Sequence, residues 1–181
     1  VNLRPAFFFD RDGVVNVSPG AGYVLRWEDF HFCDGVIEAL AWLKKRGFAL
    51  VLVTNQQGVG KGLMTQSALD DMHHHMQEEL AKHGAAFDAI HACTCLKGNP
   101  GCTCHKPSPE MVLAAAKNLQ LDLAQSWLIG DQDRDIQMAI SAGVPHTIRV
   151  TGEHECGVQA GHVIKGMSEL PALLKSLMQG E

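Results

Sequence analysis

Apolar residues follow two alternating rhythms along this chain. Unbroken runs at 6–9, 49–53 and 127–129 read as short buried strands; 146–150 reads as a fourth main strand, and 163–164 as a last one. Between them apolar residues recur at helical spacing. Val36, Ile37, Leu40 and Leu43 follow Asp34-Gly35 and stop at Gly47, and a long helix spans 66–83 with Thr65 as its N-cap. A third helix starts at Ser108 or Pro109 and carries Met111, Val112, Ala115 and Leu119. A fourth covers 136–142 before Gly143, and a terminal one covers 168–178. Residues 89–92 form a short apolar piece, 27–32 fit neither rhythm, and 17–23 and 151–162 read as loops. Strands alternating with helices predict an α/β fold built on a parallel sheet with right-handed crossovers. No repeat or low-complexity linker breaks the pattern, so 1–181 is expected to be a single domain.

The polar tracts at the strand ends carry the candidate chemistry. The first strand stops at Asp10-Arg11-Asp12-Gly13, the second at Thr54-Asn55-Gln56-Gln57, and the third at Gly130-Asp131-Gln132-Asp133-Arg134-Asp135. Lys106 lies just before a helix start. Taken singly, each has a plain reading: an acidic turn, a strand-end cap, a solvated lysine, acids favouring a helix N-terminus. Taken together they converge, because a parallel sheet puts all its strand carboxyl ends on one edge. Asp10, Asp12 and Asp131 would then crowd three carboxylates, an arrangement that calls for a cation. Mg²⁺ suits all-oxygen ligation and bridges to phosphate oxygens. With the Thr54 hydroxyl and the Lys106 charge, this describes a pocket for a phosphoryl group.

Composition narrows the partners. Apolar residues make up 46% and charged residues 19% of the 181, and the net charge is −5 with no basic stripe, so nucleic acid is not expected as a partner. No apolar run approaches the ~20 residues that span a bilayer. No basic region followed by a long apolar one opens the chain, and the cytoplasm is the expected location. Four of the six cysteines, Cys93, Cys95, Cys102 and Cys104, form a C-x-C…C-x-C cluster. Such a set can hold a structural Zn²⁺ with no open position, the alternatives being crosslinks or reduced thiols. Cys33 and Cys156 read as free thiols. Trp27, Trp42 and Trp127 read as packing residues, and His73, His74 and His75 as surface residues on different faces of a helix.

The tracts DRDGVVN, DGVI from Asp34, VTNQ from Val53, the cysteine loop running into Lys106-Pro107, and GDQDRDIQ span nearly the whole chain. Their order resembles the haloacid dehalogenase superfamily of phosphatases, and within it the small zinc-loop, histidinol-phosphatase-like branch. The resemblance implies a three-layer Rossmann-like parallel sheet with helices on both faces, no large cap domain, and a short zinc-binding loop at 93–105. It implies Asp10 as nucleophile, Asp12 as general acid and base, and Thr54 and Lys106 as stabilisers of the phosphoryl group. Mg²⁺ would be held by Asp10, Asp131 and the backbone carbonyl of Asp12, with Asp135 orienting Lys106 or a metal-bound water. Gly22, Tyr23, Asn55, Gln56, Gln57, Lys61, His105 and Gln132 would contact the substrate, a small phosphorylated metabolite, and the protein would act as a monomer.

Members of the branch act on histidinol phosphate or on the C7 phosphate of D-glycero-D-manno-heptose 1,7-bisphosphate. The segments 149–152 and 167–171 look more like the heptose-directed members. Three positions depart from the pattern. Cys95 replaces a customary His, which zinc tolerates. His105 stands where Arg usually precedes the lysine, and Lys61 where Arg is frequent. The last two, together with the loop 18–23, which keeps the Gly22-Tyr23 pair but differs just before it, fall where substrate specificity would lie. Rival readings are another small phosphomonoester as substrate, transfer of the phosphoryl group to an alcohol, and a non-catalytic zinc-stabilised binding module.

Overall fold

The computed structural model describes residues 3–152 and 154–179. Strand β1 (Arg4–Phe9) leads to helix α1 (Val36–Lys45), then β2 (Ala49–Asn55), the single turn α2 (Gln57–Gly60) and the long α3 (Gln66–Ala81). The chain continues through β3 (Ala89–Cys93), α4 (Glu110–Leu119), β4 (Leu121–Gly130), α5 (Asp133–Ala142), β5 (His146–Val150), β6 (His162–Ile164) and α6 (Leu170–Leu177). All six strands are parallel and lie in the order β3-β2-β1-β4-β5-β6. This is the expected three-layer Rossmann-like arrangement, with β1 central because Phe7, Phe8 and Phe9 are all fully buried.

The period-two alternation of β1 and β2 sorts the core into two layers. Phe7, Phe9, Leu50 and Leu52 face α1, α3 and α6, meeting Leu40, Leu43, Met76 and Leu174. Phe8, Val51 and Val53 face α4 and α5, meeting Val112, Ala115, Met138 and Ala139. Thr65 caps α3 as expected, its hydroxyl accepting the Ala68 N–H at 3.0 Å. The differences from expectation are local. The short piece 89–92 is a full edge strand paired with β2, and β4 starts six residues earlier than its apolar run because Leu121 and Asp122 pair with Arg4 and Pro5. Residues Trp27–Asp29 form a 3-10 turn.

One residue overturns its expected place. His74 and His75 are exposed, but His73 is buried. It falls on the stripe Leu69, Met72, Met76, Leu80, four residues after Leu69 and three before Met76, so the helical period carries it inward.

Strand order reverses between β1 and β4: the chain steps outward from β1 to β2 and β3, then returns to β4 on the other side. At such a switch point the loops leaving the two strands diverge and open a crevice at their carboxyl ends. Asp10 follows β1 and Asp131 follows β4, so both acids stand at that crevice.

Candidate active site

Two glycines let the acids approach one another. Gly13 sits at φ +85°, and a Cβ there would overlap the Asp131 carboxylate. A Cβ on Gly130 would overlap the Asp135 side chain. The turn after β1 is tight: the Arg11 carbonyl accepts N–H groups from Val14, Val15 and Asn16. Asp10, Asp131 and Asp135 are thereby gathered so that an oxygen of each lies within 4.8 Å of the others.

Lys106 reaches this cluster from the loop before α4. Its ammonium donates to Asp10 Oδ1 at 2.7 Å and to Asp135 Oδ1 at 2.8 Å, and its backbone N–H is held by Asn55 Oδ1 at 3.2 Å. Burial opposes the lysine charge, but Asp10 and Asp135 outweigh it and hold the pKa above its usual value. One lysine does not balance three carboxylates. Burial, then repulsion from Asp135, raises the Asp10 pKa well above the carboxylate range, and the same two causes lift Asp131 to about 6. Asp131 Oδ1 is buried with no hydrogen-bond partner. An all-oxygen, electron-rich corner with an unpartnered carboxylate oxygen fits a hard divalent cation.

Asp12 has a different environment. Its Oδ1 accepts from Arg11 Nη2 at 3.0 Å and from Asn16 Nδ2 at 2.9 Å, and its Oδ2 accepts from Gln56 Nε2 at 3.0 Å. Burial alone would raise its pKa, but the Arg11 charge and these hydrogen bonds overcome that and hold it below the usual value. The Gln56 amide also donates to Thr54 Oγ1 at 2.9 Å, which leaves the buried threonine's own proton free to be donated.

Above this floor lies a cavity of about 180 Å³ lined by Asp12, Gly22, Tyr23, Asn55, Gln57 and Gln132, among others. Asn55 Nδ2 is a buried donor without a partner. The Gln57 amide oxygen is already occupied by the Lys97 N–H at 2.9 Å, so Gln57 ties down the cysteine loop as well as lining the cavity. Three expected contact residues, Gln56, Lys61 and His105, do not line it; the Gln56 amide is taken up by Asp12 and Thr54. Lys61 donates to the Tyr23 hydroxyl at 2.6 Å and reaches the rim only through that ring. His105 also lies outside the lining, and burial, then Arg134, Lys97 and Lys106, push its pKa below the usual value.

The four clustered cysteines are free thiols. Cys93 and Cys102 sulfurs are 3.6 Å apart, Cys102 and Cys104 3.7 Å, and Cys95 and Cys104 3.9 Å. Ligands at ~2.3 Å around a tetrahedral zinc are separated by ~3.8 Å, so the donor set and its spacing could hold a metal.

Sequence reasoning missed the support behind Asp12. Arg11 is fully buried, and its Nη1 lies 3.1 Å from His73 Nε2 and 3.6 Å from Met72 Sδ. Arginine is always charged, so His73 can accept from it only as the neutral imidazole. Burial, then the Arg11 charge, lowers the His73 pKa from 6.5 to about 4. The unfolded chain therefore binds a proton at mildly acid pH that the folded chain refuses. His73 contributes stability that is complete above pH ~6.5 and lost as the pH falls toward ~4, about 3 kcal/mol in all. Denaturant midpoints between those limits should fall with pH in the natural chain and fall less steeply in His73→Gln. Equal slopes for both would contradict this account. Asp133, expected at the helix start, also does more: it accepts from Arg149 Nη1 at 2.7 Å and from the Gly157 and Val158 N–H groups, fastening the loop after β5 over α5.

This arrangement defines a class. The chain belongs to the haloacid dehalogenase-like hydrolase family, whose profile matches residues 9–143. It is 38% identical over 184 residues to the D-glycero-beta-D-manno-heptose-1,7-bisphosphate 7-phosphatase of Yersinia pestis, covering 95% of this chain and 96% of that one. The Escherichia coli K12 protein of the same name is 38% identical over 181 residues, with 94% of each chain covered. Among solved structures, the D,D-heptose 1,7-bisphosphate phosphatase from B. bronchiseptica, complexed with magnesium and phosphate, superposes with a TM-score of 0.86 at 32% identity. That match covers 96% of this chain and 99% of that one.

Proposed function

We propose that this chain is a Mg²⁺-dependent phosphatase that works through an aspartyl-phosphate on Asp10 and releases the C7 phosphate of D-glycero-D-manno-heptose 1,7-bisphosphate. The observation that carries the chemistry is the Lys106 ammonium held between Asp10 and Asp135 at 2.7 and 2.8 Å, beside Asp131, at the sheet's switch point. The sugar rests on the similarity to the named heptose phosphatases over nearly the whole chain.

Asp10 and Asp131, with the Asp12 carbonyl, would hold Mg²⁺, which when bound offsets the crowded carboxylates and draws charge from phosphoryl oxygens. The unpartnered Asp131 oxygen and the raised pKa values of Asp10 and Asp131 fit that role. Asp10 attacks phosphorus and the ester oxygen departs with a proton from Asp12. Water then attacks the aspartyl-phosphate, gives a proton back to Asp12, and frees phosphate and Asp10. Lys106 and the Thr54 hydroxyl donate to the phosphoryl oxygens as charge shifts onto them. In the free enzyme Asp12 is a carboxylate, suited to the second step. The first step needs it protonated, and an incoming phosphate dianion raises its pKa in that direction. Cys93, Cys95, Cys102 and Cys104 as thiolates would hold Zn²⁺ as a structural clamp on the loop that carries Lys106.

A comparison of kcat/KM for heptose 1,7-bisphosphate and histidinol phosphate, with and without Mg²⁺, tests the function. A preference of about 100-fold for the heptose, about 2.7 kcal/mol of transition-state binding, is expected. Equal slow rates on both would remove the sugar and keep the chemistry. No Mg²⁺-dependent release from either would remove the phosphatase.

A further inference from the structure

The polar side chains of residues 131–135 fall into two groups. Gln132 caps α5 and lies 3.1 Å from His154 Nε2, and Asp133 carries Arg149 and two backbone N–H groups. Asp135 carries Lys106 and the Gln132 N–H. Two groups in the tract remain unsatisfied among the described residues. One is Asp131 Oδ1. The other is Arg134, whose Nε is buried without a partner and whose guanidinium makes no ion pair. Both residues line the same cavity. The carboxylate there suits a cation, and a guanidinium left unpaired at the wall of the same cavity suits an anion.

The other nearby cations are committed or misplaced. Lys106 is held against Asp10 and Asp135 at the reacting end, and Lys61 is bound to the Tyr23 hydroxyl. Lys97 is exposed and does not line the cavity. His105, standing where an arginine is customary, does not line it either. Asp12 and Asp131 line the cavity, and an Asp131 oxygen lies within 4.8 Å of one on Asp10, so the reacting phosphoryl group belongs at that end and the rest of the substrate within the cavity. We infer that Arg134 is the specificity-determining residue that grips a second, non-reacting phosphate of the substrate from the first turn of α5. This rests on the phosphatase reading above. A guanidinium presents two parallel N–H donors to two phosphate oxygens, a match that a lysine or histidine lacks.

The test compares two substrates in each enzyme: heptose 1,7-bisphosphate and the same heptose carrying only the 7-phosphate. The ratio of their kcat/KM values isolates the second phosphate. In the natural chain the bisphosphate is favoured, and in Arg134→Gln that ratio falls about 10–100-fold, chiefly through KM for the bisphosphate. Arg134→Lys, which keeps the charge and loses the fork, retains part of the preference and carries the test if the Gln variant does not fold. An unmoved ratio in the variants, or no preference in the natural chain, overturns the assignment to Arg134 while leaving the phosphatase intact. Failure of the natural chain to hydrolyse either sugar phosphate with Mg²⁺ removes the phosphatase reading, and this inference with it.

Discussion

Asp10→Asn is expected to lower kcat by about 10⁴-fold or more, with the fold unchanged. The substitution keeps shape and volume but replaces the attacking carboxylate by an amide, which cannot form the aspartyl-phosphate. Loss of stability is not expected. In the folded chain Asp10 is a buried carboxylate facing Asp131 and Asp135, and its raised pKa means that folding disfavours its charge. A neutral amide removes that repulsion, and Lys106 keeps its bond to Asp135. The melting temperature of the metal-free variant should therefore equal or exceed that of the natural chain, as is common where an active site trades stability for chemistry. Steady-state phosphate release and a thermal melt check both halves. Turnover near that of the natural chain would eliminate Asp10 as nucleophile.

Stripping the cysteine cluster of its metal, or replacing Cys102 by Ser, is expected to lower the melting temperature by about 10 °C. Activity should fall about 100-fold, the cost of displacing a group that positions the substrate. The reason lies in how little else holds the loop. Between Cys93 at the end of β3 and Glu110 at the start of α4, the hydrogen bonds from the loop to the rest of the protein are few among the described residues: Lys97 N–H to Gln57, Lys106 N–H to Asn55, and the Lys106 ammonium to Asp10 and Asp135. Leu96 at its tip is exposed. Cys104 is two residues from Lys106, so loosening the cluster moves the lysine away from Asp10. Metal content, melting temperature and rate should change together. Verified metal loss with both melting temperature and rate unchanged would show that the cluster does not serve as a clamp.

Much of this was legible because the sheet is parallel and buried on both faces. Unbroken runs such as Phe7-Phe8-Phe9 mark its strands, and each strand's end is marked by an abrupt polar tract. The convergence of Asp10, Asp131 and Lys106 then follows from topology alone. What stayed hidden were partnerships between buried polar groups. Arg11 lies between two aspartates and reads as a surface charge, yet it is fully buried and needs the acceptors Asp12 and His73. The signal for His73 was present in the period of α3 but was obscured by the run of three histidines. Arg149 sits inside an apolar strand and is buried through its bond to Asp133, a pairing sixteen residues apart that no local pattern encodes. Arg134 is distinguished from its neighbours only by what it does not touch, which the chain alone cannot display.

The most direct measurement follows the phosphoryl group itself. The enzyme is mixed with heptose 1,7-bisphosphate and Mg²⁺, quenched in acid during turnover, digested, and weighed peptide by peptide. The account predicts one added phosphoryl group on the peptide that contains Asp10, removed by hydroxylamine as an acyl phosphate would be, and absent from Asp10→Asn. Turnover with no phosphoryl group on the protein, or with the group on another residue, would contradict it.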